Sequence, residues 1–393
     1  MNPPQNYVFA DRLSEIAPFR VMEVLARAQE LEAEGHHVVH LEVGEPDFMT
    51  AQPIRQAGQQ ALEVGATRYT NAAGIAPLKQ KISQYYQSLG VAVPPHRIIV
   101  TAGASGGLAL LNALLLNPGD GLLMADPGYP CNEVFALTVG GVPQRLPVSA
   151  NNGFQPVMQD VEEAWQPNSR GVLLASPANP TGAMLPRHAL AEIGQAVHLR
   201  SGFVIVDEIY QGVTFEPSYQ SALQVLPDAF VLNSFSKYFG MTGWRLGWLV
   251  VPDIAVDAVT KLAQNLVICP SAPAQHAALA AFEPAAMQIH EERVAAFARR
   301  MEVLYRGLKQ LGFVIPVKPQ GAFYLYVDVS HTGMDSMTFC KWLLDEHHVA
   351  VTPGSDFGDR DAHRYVRFAF TTSLEEIEVA LGRLADALSG LSQ

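Results

Sequence analysis

Residues 234–248 read SFSKYFGMTGWRLGW, which puts Ser234, Ser236, Lys237 and Arg245 in one short stretch. An uncharged lysine amine is a nucleophile and forms an imine with a carbonyl group. Two hydroxyls and a guanidinium beside it suit a phosphate, the arginine through charged and often bidentate hydrogen bonds. The stretch therefore fits an amine nucleophile next to a phosphate clamp, the pairing that a phosphorylated carbonyl cofactor requires. A single lysine in a turn is more often a solvated side chain, so the assignment needs partners elsewhere in the chain.

Several segments supply them. VIVDEIY places Asp207 at the end of an apolar run, with Tyr210 three residues on. A carboxylate there can pair with a protonated pyridine nitrogen and keep a heteroaromatic ring electron-accepting. Tyr210 and Asn179, the latter in SPANPTG, can donate to a ring oxygen. Alone, Asp207 could be a helix cap and Asn179 a turn residue. TAGASGG (101–107) follows a strand pattern and opens a helix, which leaves backbone N–H groups at Ala104 and Ser105 free to meet an anion. In DPGYP, Tyr129 is placed to cover one face of a flat cofactor, or simply to pack in a proline-rich turn.

These residues need a scaffold that brings strand ends together. RIIVT (97–101), GLLMA (121–125), GVLLA (171–175), FVIV (203–206), 230–233 and LGWLVV (246–251) are short apolar runs without alternation. Such runs mark strands buried on both faces. Helical patterns lie between them: 17–34, ending at Gly35; 75–89; the Leu/Ala run after GASGG; and 190–198. The expected architecture is α/β, a mainly parallel mixed sheet between helices, with ligands at the carboxyl ends of the strands. After about Ala285 the pattern changes to a long helix (287–311), FYLYVDV, a helix, YVRFAF and a final helix. We therefore expect a large domain over 45–285 and a smaller α+β domain built from 1–44 and 286–393.

The 393 residues are 49% apolar and 16% charged, enough for a packed interior and against disorder. A net charge of −12 argues against nucleic acid as a partner. The three cysteines, Cys131, Cys269 and Cys340, are far apart and show no metal spacing, which fits a reducing compartment. MNPPQNYVFADRLSE carries no signal-peptide pattern, and the longest apolar run, 108–116, is too short to span a bilayer. A cytoplasmic protein without metal or membrane partner is expected.

Taken in order, VGEPDF, YTNAAG, TAGASGG, DPGYP, SPANPTG, VDEIY, SFSKYFGMTGWRLG, GAFYLY and YVRFAF resemble the class I and II aminotransferases of fold type I, which use pyridoxal phosphate. The resemblance runs from about Arg12 to Leu388. It is strongest to the branch holding many prokaryotic aspartate and aromatic aminotransferases. It implies that Lys237 carries the cofactor as an imine and that Asp207 faces the pyridine nitrogen. It also implies that Tyr210 and Asn179 bind the 3-oxygen, and that Tyr129 stacks on the ring. Ala104, Ser105, Ser234, Ser236 and Arg245 would form the phosphate cup. Arg367 would pair with the substrate α-carboxylate, a contact for which arginine is well suited, with Gly44 offering a backbone contact. Tyr69 would reach the phosphate of a second subunit, which implies a homodimer with shared sites.

The expected reaction is ping-pong transfer of an amino group from an amino acid to a 2-oxo acid, with Lys237 as proton carrier. The uncharged stretch LVICPSAP (266–273), together with Phe19 and Tyr324, points to neutral or aromatic donors, with Arg20 as the one nearby candidate cation. A β-lyase acting on a sulfur amino acid would use nearly the same residues. A non-catalytic regulator is disfavoured by the intact lysine and by the absence of a helix-turn-helix or basic arm.

Overall fold

The computed structural model describes residues 7–215 and 221–391. The first six residues, part of the segment read as lacking a signal peptide, and the last two, the end of the smaller domain expected from the sequence, lie outside them. Seven strands form the main sheet: β1 Ile98–Thr101, β2 Gly121–Asp126, β3 Val142–Pro147, β4 Ser169–Ala175, β5 Phe203–Asp207, β6 Phe230–Ser234 and β7 Gly247–Val250. Their order is β1-β7-β6-β5-β4-β2-β3. β6, β5, β4, β2 and β3 are parallel neighbours, while β7 runs antiparallel to both β1 and β6.

The apolar runs explain why the sheet is covered twice. Successive side chains of a strand point to opposite faces. Val172, Leu174, Val204, Val206 and Val231 face one core, with Leu190, Ile193 and Val197 of the Arg187–His198 helix. Leu173, Ile205, Leu232 and Leu249 face another, with Leu108 and Leu111 of the Gly103–Leu115 helix and Val259 of the Val256–Leu266 helix. Both faces are apolar among the described residues, so the central strands meet polar groups chiefly at their ends.

A second, three-stranded sheet has the order β8 (Tyr324–Asp328), β10 (Tyr365–Ala369), β9 (Thr352–Pro353), all antiparallel. Val39–His40 pairs in parallel with Val349–Ala350, joining the early chain to the late chain. The Pro284–Gln310 helix bridges toward the GEPDF loop. Its Arg300 donates through both terminal nitrogens to the two oxygens of Asp47, at 2.8 Å each, and to the Thr371 carbonyl at 3.2 Å. Among the described residues no helix is long and apolar enough to cross a membrane.

Two helix starts and one strand show why the structure departs from the sequence reading. The helix expected from Ala17 begins at Arg20; Ala17 precedes Pro18, and a residue before proline avoids the helical region. The long helix begins earlier, at Pro284, because proline suits a first helical turn. β3 was not anticipated: it is an edge strand whose Pro143 and Pro147 mask it, an exception proline is allowed only at edges.

Arg300 is buried and its pairing with Asp47 is bidentate. Arg300→Ala would strand Asp47 and free the GEPDF loop from the long helix. Urea denaturation should show a loss of about 2 kcal/mol, below the range for fully buried pairs because Asp47 is partly exposed.

Candidate active site

The parallel strands β2, β4, β5 and β6 end at one rim, and β1 ends beside them. Because β7 is reversed, it begins at that rim. Gly247 pairs with Thr101 on one side and with Ser234 on the other. The segments following β1 and β6 and the segment preceding β7 are thus brought together. A cavity of about 420 Å³ opens there. It is lined by Gly44, Ala104, Ser105, Tyr129, Asn179, Asp207, Tyr210, Ser236, Lys237, Arg245 and Arg367, along with Phe19 and Tyr324.

Two expected residues are not in that lining. Ser234 is buried behind Ser236: its hydroxyl lies 2.9 Å from Ser236 Oγ and 3.2 Å from the Leu246 carbonyl, and accepts the Ser236 N–H at 3.1 Å. These contacts place it under Ser236 at the end of β6, so it orients Ser236 rather than lining the cavity. Tyr69 is 81% exposed and lies outside the cavity of its own chain.

At one end of the cavity the N-terminus of the Gly103–Leu115 helix has no side-chain cap, so first-turn N–H groups are open to an anion. Arg245, just before β7, adopts a left-handed φ of 53°. Its Nη1 donates to the Thr242 carbonyl at 2.9 Å. The close approach of this arginine requires glycine opposite: a Cβ on Gly103, itself at φ +73°, would lie 2.6 Å from Arg245 Nη2.

In the middle, Lys237 Nζ donates to the Gly44 carbonyl at 2.7 Å. Burial, opposed by Glu45 and assisted by Arg367 and Arg245, lowers its amine to about 8. Asp207, at the end of β5, accepts the Ile209 N–H at 2.9 Å. Burial raises its carboxyl to about 6, against the pull of that N–H and of Lys237. The low dielectric thus moves both groups toward neutrality.

At the other end Arg367, in β10, is 4% exposed. It donates to Asn179 Oδ1 at 3.0 Å, to Thr352 Oγ1 at 3.2 Å and to the Glu42 carbonyl. Its guanidinium packs between the rings of Tyr324 (4.4 Å to the centroid) and Phe357 (4.7 Å). Its Nε is buried without a partner. The Tyr324 and Tyr210 hydroxyls meet at 2.8 Å, and burial pushes Tyr210 well above its ordinary value. Gly44 must be glycine here, since a Cβ would fall 1.7 Å from Tyr324 Oη.

Among the described residues no carboxylate comes within ion-pairing distance of Lys237, Arg245 or Arg367, whereas other arginines such as Arg27, Arg145 and Arg364 are paired. Such a site can hold two anionic groups with an amine between them. The sequence reading missed Thr352, Phe357 and Glu45, which position or polarise these cations. Glu45 was legible as a neighbour of Gly44; Thr352 and Phe357 carry no motif. Arg20, considered as a cation for the site, instead directs Nη1 to Met337 Sδ at 3.9 Å and does not line the cavity. Ser271 and Pro273 of the uncharged stretch border a different depression, beside Trp244.

Only the neutral amine forms imines. With Lys237 lowered to about 8, about one amine in ten is neutral at pH 7. The rate at which the cofactor-free chain condenses with a small aldehyde should therefore rise through a midpoint near 8, not near 10.5. Arg245→Ala removes a neighbouring positive charge and should move that midpoint upward. Stopped-flow absorbance across pH measures both.

The sequence model of the family "Aminotransferase class I and II" matches residues 36–384. A valine–pyruvate aminotransferase of Mycobacterium tuberculosis is 38% identical, covering 95% of this chain and 97% of its own. An aspartate aminotransferase of Pyrococcus horikoshii is 32% identical, with 99% and 100% covered. A crystal structure of an aminotransferase from Mycobacterium tuberculosis superimposes with a TM-score of 0.94 at 37% identity, over 98% of this chain and 100% of that one. With the sheet order, the rim and the family match agreeing along nearly its whole length, the chain belongs to the class I and II aminotransferases and is a transaminase of fold type I.

Proposed function

We propose that the cavity binds pyridoxal phosphate at Lys237 and moves the α-amino group of a neutral or aromatic amino acid to a 2-oxo acid, in two half-reactions that alternate. The observation that carries this is the convergence of Lys237, Arg245 and Arg367 on one cavity, where among the described residues no carboxylate pairs with any of them. Two cations at opposite ends suit a phosphate and a substrate carboxylate, and the amine between them suits an aldehyde.

The residues fit this group. An uncapped helix N-terminus and Arg245 meet at a glycine cradle that a Cβ would fill. Asp207, buried without a full counter-charge, is suited to a protonated ring nitrogen, whose charge would hold it ionised. Tyr129 offers an aromatic face, and Tyr210 and Asn179 offer donors at the cavity wall. When bound, the cofactor supplies an electron sink for the pair left at the substrate α-carbon.

The chain's own residues then do the rest. Arg367 takes the α-carboxylate; its unpartnered Nε gives the incoming group an unclaimed donor. Lys237, whose lowered amine keeps a neutral fraction near neutral pH, would take the α-proton on Nζ and hold it for return to the reacting group. The Gly44 carbonyl, 2.7 Å from Nζ, holds the amine in place between these tasks. Phe19 and Tyr324 with Val21 and Met22 give the remaining wall an apolar character, and Arg20 is turned away from it. These features support neutral or aromatic donors.

The proposal extends to a homodimer in which Tyr69 reaches the partner's phosphate. Tyr69 is exposed next to other bare apolar residues: the Thr70 N–H meets Cys269 Sγ at 3.4 Å, and Leu266 and Ile268 are 62% and 53% exposed. A second copy would cover them. A large domain over 45–285 and a small one from the two ends, in the cytoplasm, complete the reading; the three unpaired cysteines support that compartment.

Lys237→Ala should lose the visible absorbance of the cofactor imine and lower transamination by more than about 10³-fold. Near-normal turnover in that variant would sink the assignment. A panel of amino donors, with pyruvate and 2-oxoglutarate as acceptors, should favour neutral or aromatic side chains. A strong aspartate preference would reject the donor class. Release of ammonia and pyruvate from a sulfur amino acid without an acceptor would instead indicate β-elimination.

A further inference from the structure

We propose that Asp356 is a positioning residue for the side-chain half of the substrate site: it holds the first turn of the Arg20–Ala33 helix so that Phe19, Val21 and Met22 keep one apolar wall of the cavity in place. This rests on the aminotransferase reading above and adds to it a determinant of donor selection.

The helix has no cap of its own. Phe19 occupies the N-cap position with φ −79° and ψ 99°, and its side chain cannot accept a hydrogen bond. First-turn N–H groups left without acceptors are costly. The acceptor comes from the far end of the chain: Asp356 Oδ1 takes the Arg20 N–H at 2.9 Å and Oδ2 lies 3.4 Å from the Val21 nitrogen. Asp356 is 7% exposed and, among the described residues, joins no ion pair. A carboxylate at a helix N-terminus is also favoured by the helix dipole.

The rest of the helix does not depend on this contact. Ala28 and Leu31 pack with Val38, Leu344 and Ala350, which anchors the C-terminal half. In the first turn Val21 is buried while Met22 is 54% exposed. Loss of Asp356 therefore loosens the first turn without releasing the helix, and the first turn is where the cavity-lining residues are. Phe19 also meets Tyr129 edge-on, with centroids 6.4 Å apart.

The residue after Asp356 makes the arrangement specific to substrate. Phe357 packs 4.7 Å from the Arg367 guanidinium, and its carbonyl accepts the Gly128 N–H at 2.8 Å, fixing the turn against DPGYP. Two consecutive residues thus hold the carboxylate anchor and the apolar wall. An amino acid large enough to touch both feels their separation; alanine, which reaches only the anchor, does not.

The test uses the holoenzyme. Asp356→Ala should raise KM for phenylalanine and leucine about fivefold to tenfold, the range expected for a lost cap. KM for alanine, kcat and the cofactor's visible spectrum should stay within about twofold. Hydrogen exchange should quicken at the Arg20–Glu23 amides and not at the C-terminal half of the helix. Asp356→Asn, which keeps the acceptor for the Arg20 N–H and loses the one near Val21, should recover part of both readouts, and Asp356→Ser, whose hydroxyl is too short to reach the helix, serves as the loss variant should the alanine variant fold poorly. An equal KM rise for alanine and phenylalanine would mean general damage and overturn the proposal, as would unchanged exchange in Asp356→Ala. If wild-type protein transaminates no donor while the exchange pattern follows Asp356, the aminotransferase reading fails and the cap itself stands.

Discussion

Gly247–Val250 runs against both of its neighbours, and the placement of the site follows from that reversal. In a sheet whose other central strands are parallel, a strand in the common direction would begin at the opposite edge and carry Arg245 there. Reversed, it starts at the carboxyl rim, with Gly247 in register with both Thr101 and Ser234. The register leaves little freedom to the residues just outside it: Arg245, the Gly103 turn and Ser236 must share one corner. The absence of a side chain at Gly247 matters too, since a Cβ there would lie 3.1 Å from the Ala104 nitrogen and 2.8 Å from the Asn233 carbonyl. Backbone packing and anion cradle are therefore the same feature.

Desolvation supplies the second constraint. A site set at the rim between two apolar cores and walled by aromatic rings penalises every isolated charge. Lys237 and Asp207 respond in opposite directions, the amine falling and the carboxyl rising, and burial is the largest cause for each. In water, neither an aldehyde-capturing amine nor a poised carboxylate would be available in this form near neutral pH. The Arg367 guanidinium is accommodated differently, by three oxygen acceptors and two ring faces. Those contacts stabilise the cation without neutralising it, which leaves its charge for a ligand in the proposed reading.

How much of this was legible in the sequence depends on range. The central strands were readable because burial on both faces writes itself as uninterrupted Val, Ile and Leu, and residues at the ends of such runs must lie at a rim. That logic located Asp207, Asn179, Tyr129, Lys237 and the Gly103 turn. It could not tell Ser234 from Ser236, because residues two apart would share a face if the strand ran on; the strand ends at Ser234, and the turn after it carries Ser236 to the cavity while Ser234 stays behind. It could not place Tyr69 within a single chain. Edge strand β3 escaped because its alternation is broken by prolines, and the Ala17 start of the first helix was overruled by Pro18. Thr352 and Phe357 were invisible for a plainer reason: each acts through Arg367, which strand pairing sets opposite Thr352 and the turn after Pro353 sets beside Phe357, and nothing local to either marks that partner.

The long-range contacts share a pattern that sequence windows cannot register. The parallel pairing of Val39–His40 with Val349–Ala350 carries the early chain alongside the late one. Three consequences follow within a few residues of that ladder. The Glu42 carbonyl meets Arg367 and Thr352, the Gly44 carbonyl meets Lys237, and Asp356 meets the start of the Arg20–Ala33 helix. The main sheet can assemble the phosphate corner from its own strand ends. The carboxylate anchor and the apolar wall need both ends of the chain, held by backbone carbonyls and one aspartate. Backbone acceptors are indifferent to side-chain identity, so the carbonyl contacts can persist while Phe19, Val21 and Met22 change. In the proposed reading this separates the two tasks of the enzyme: the reaction is fixed by the sheet, and the choice of amino acid is set by a short segment that can be altered without touching it.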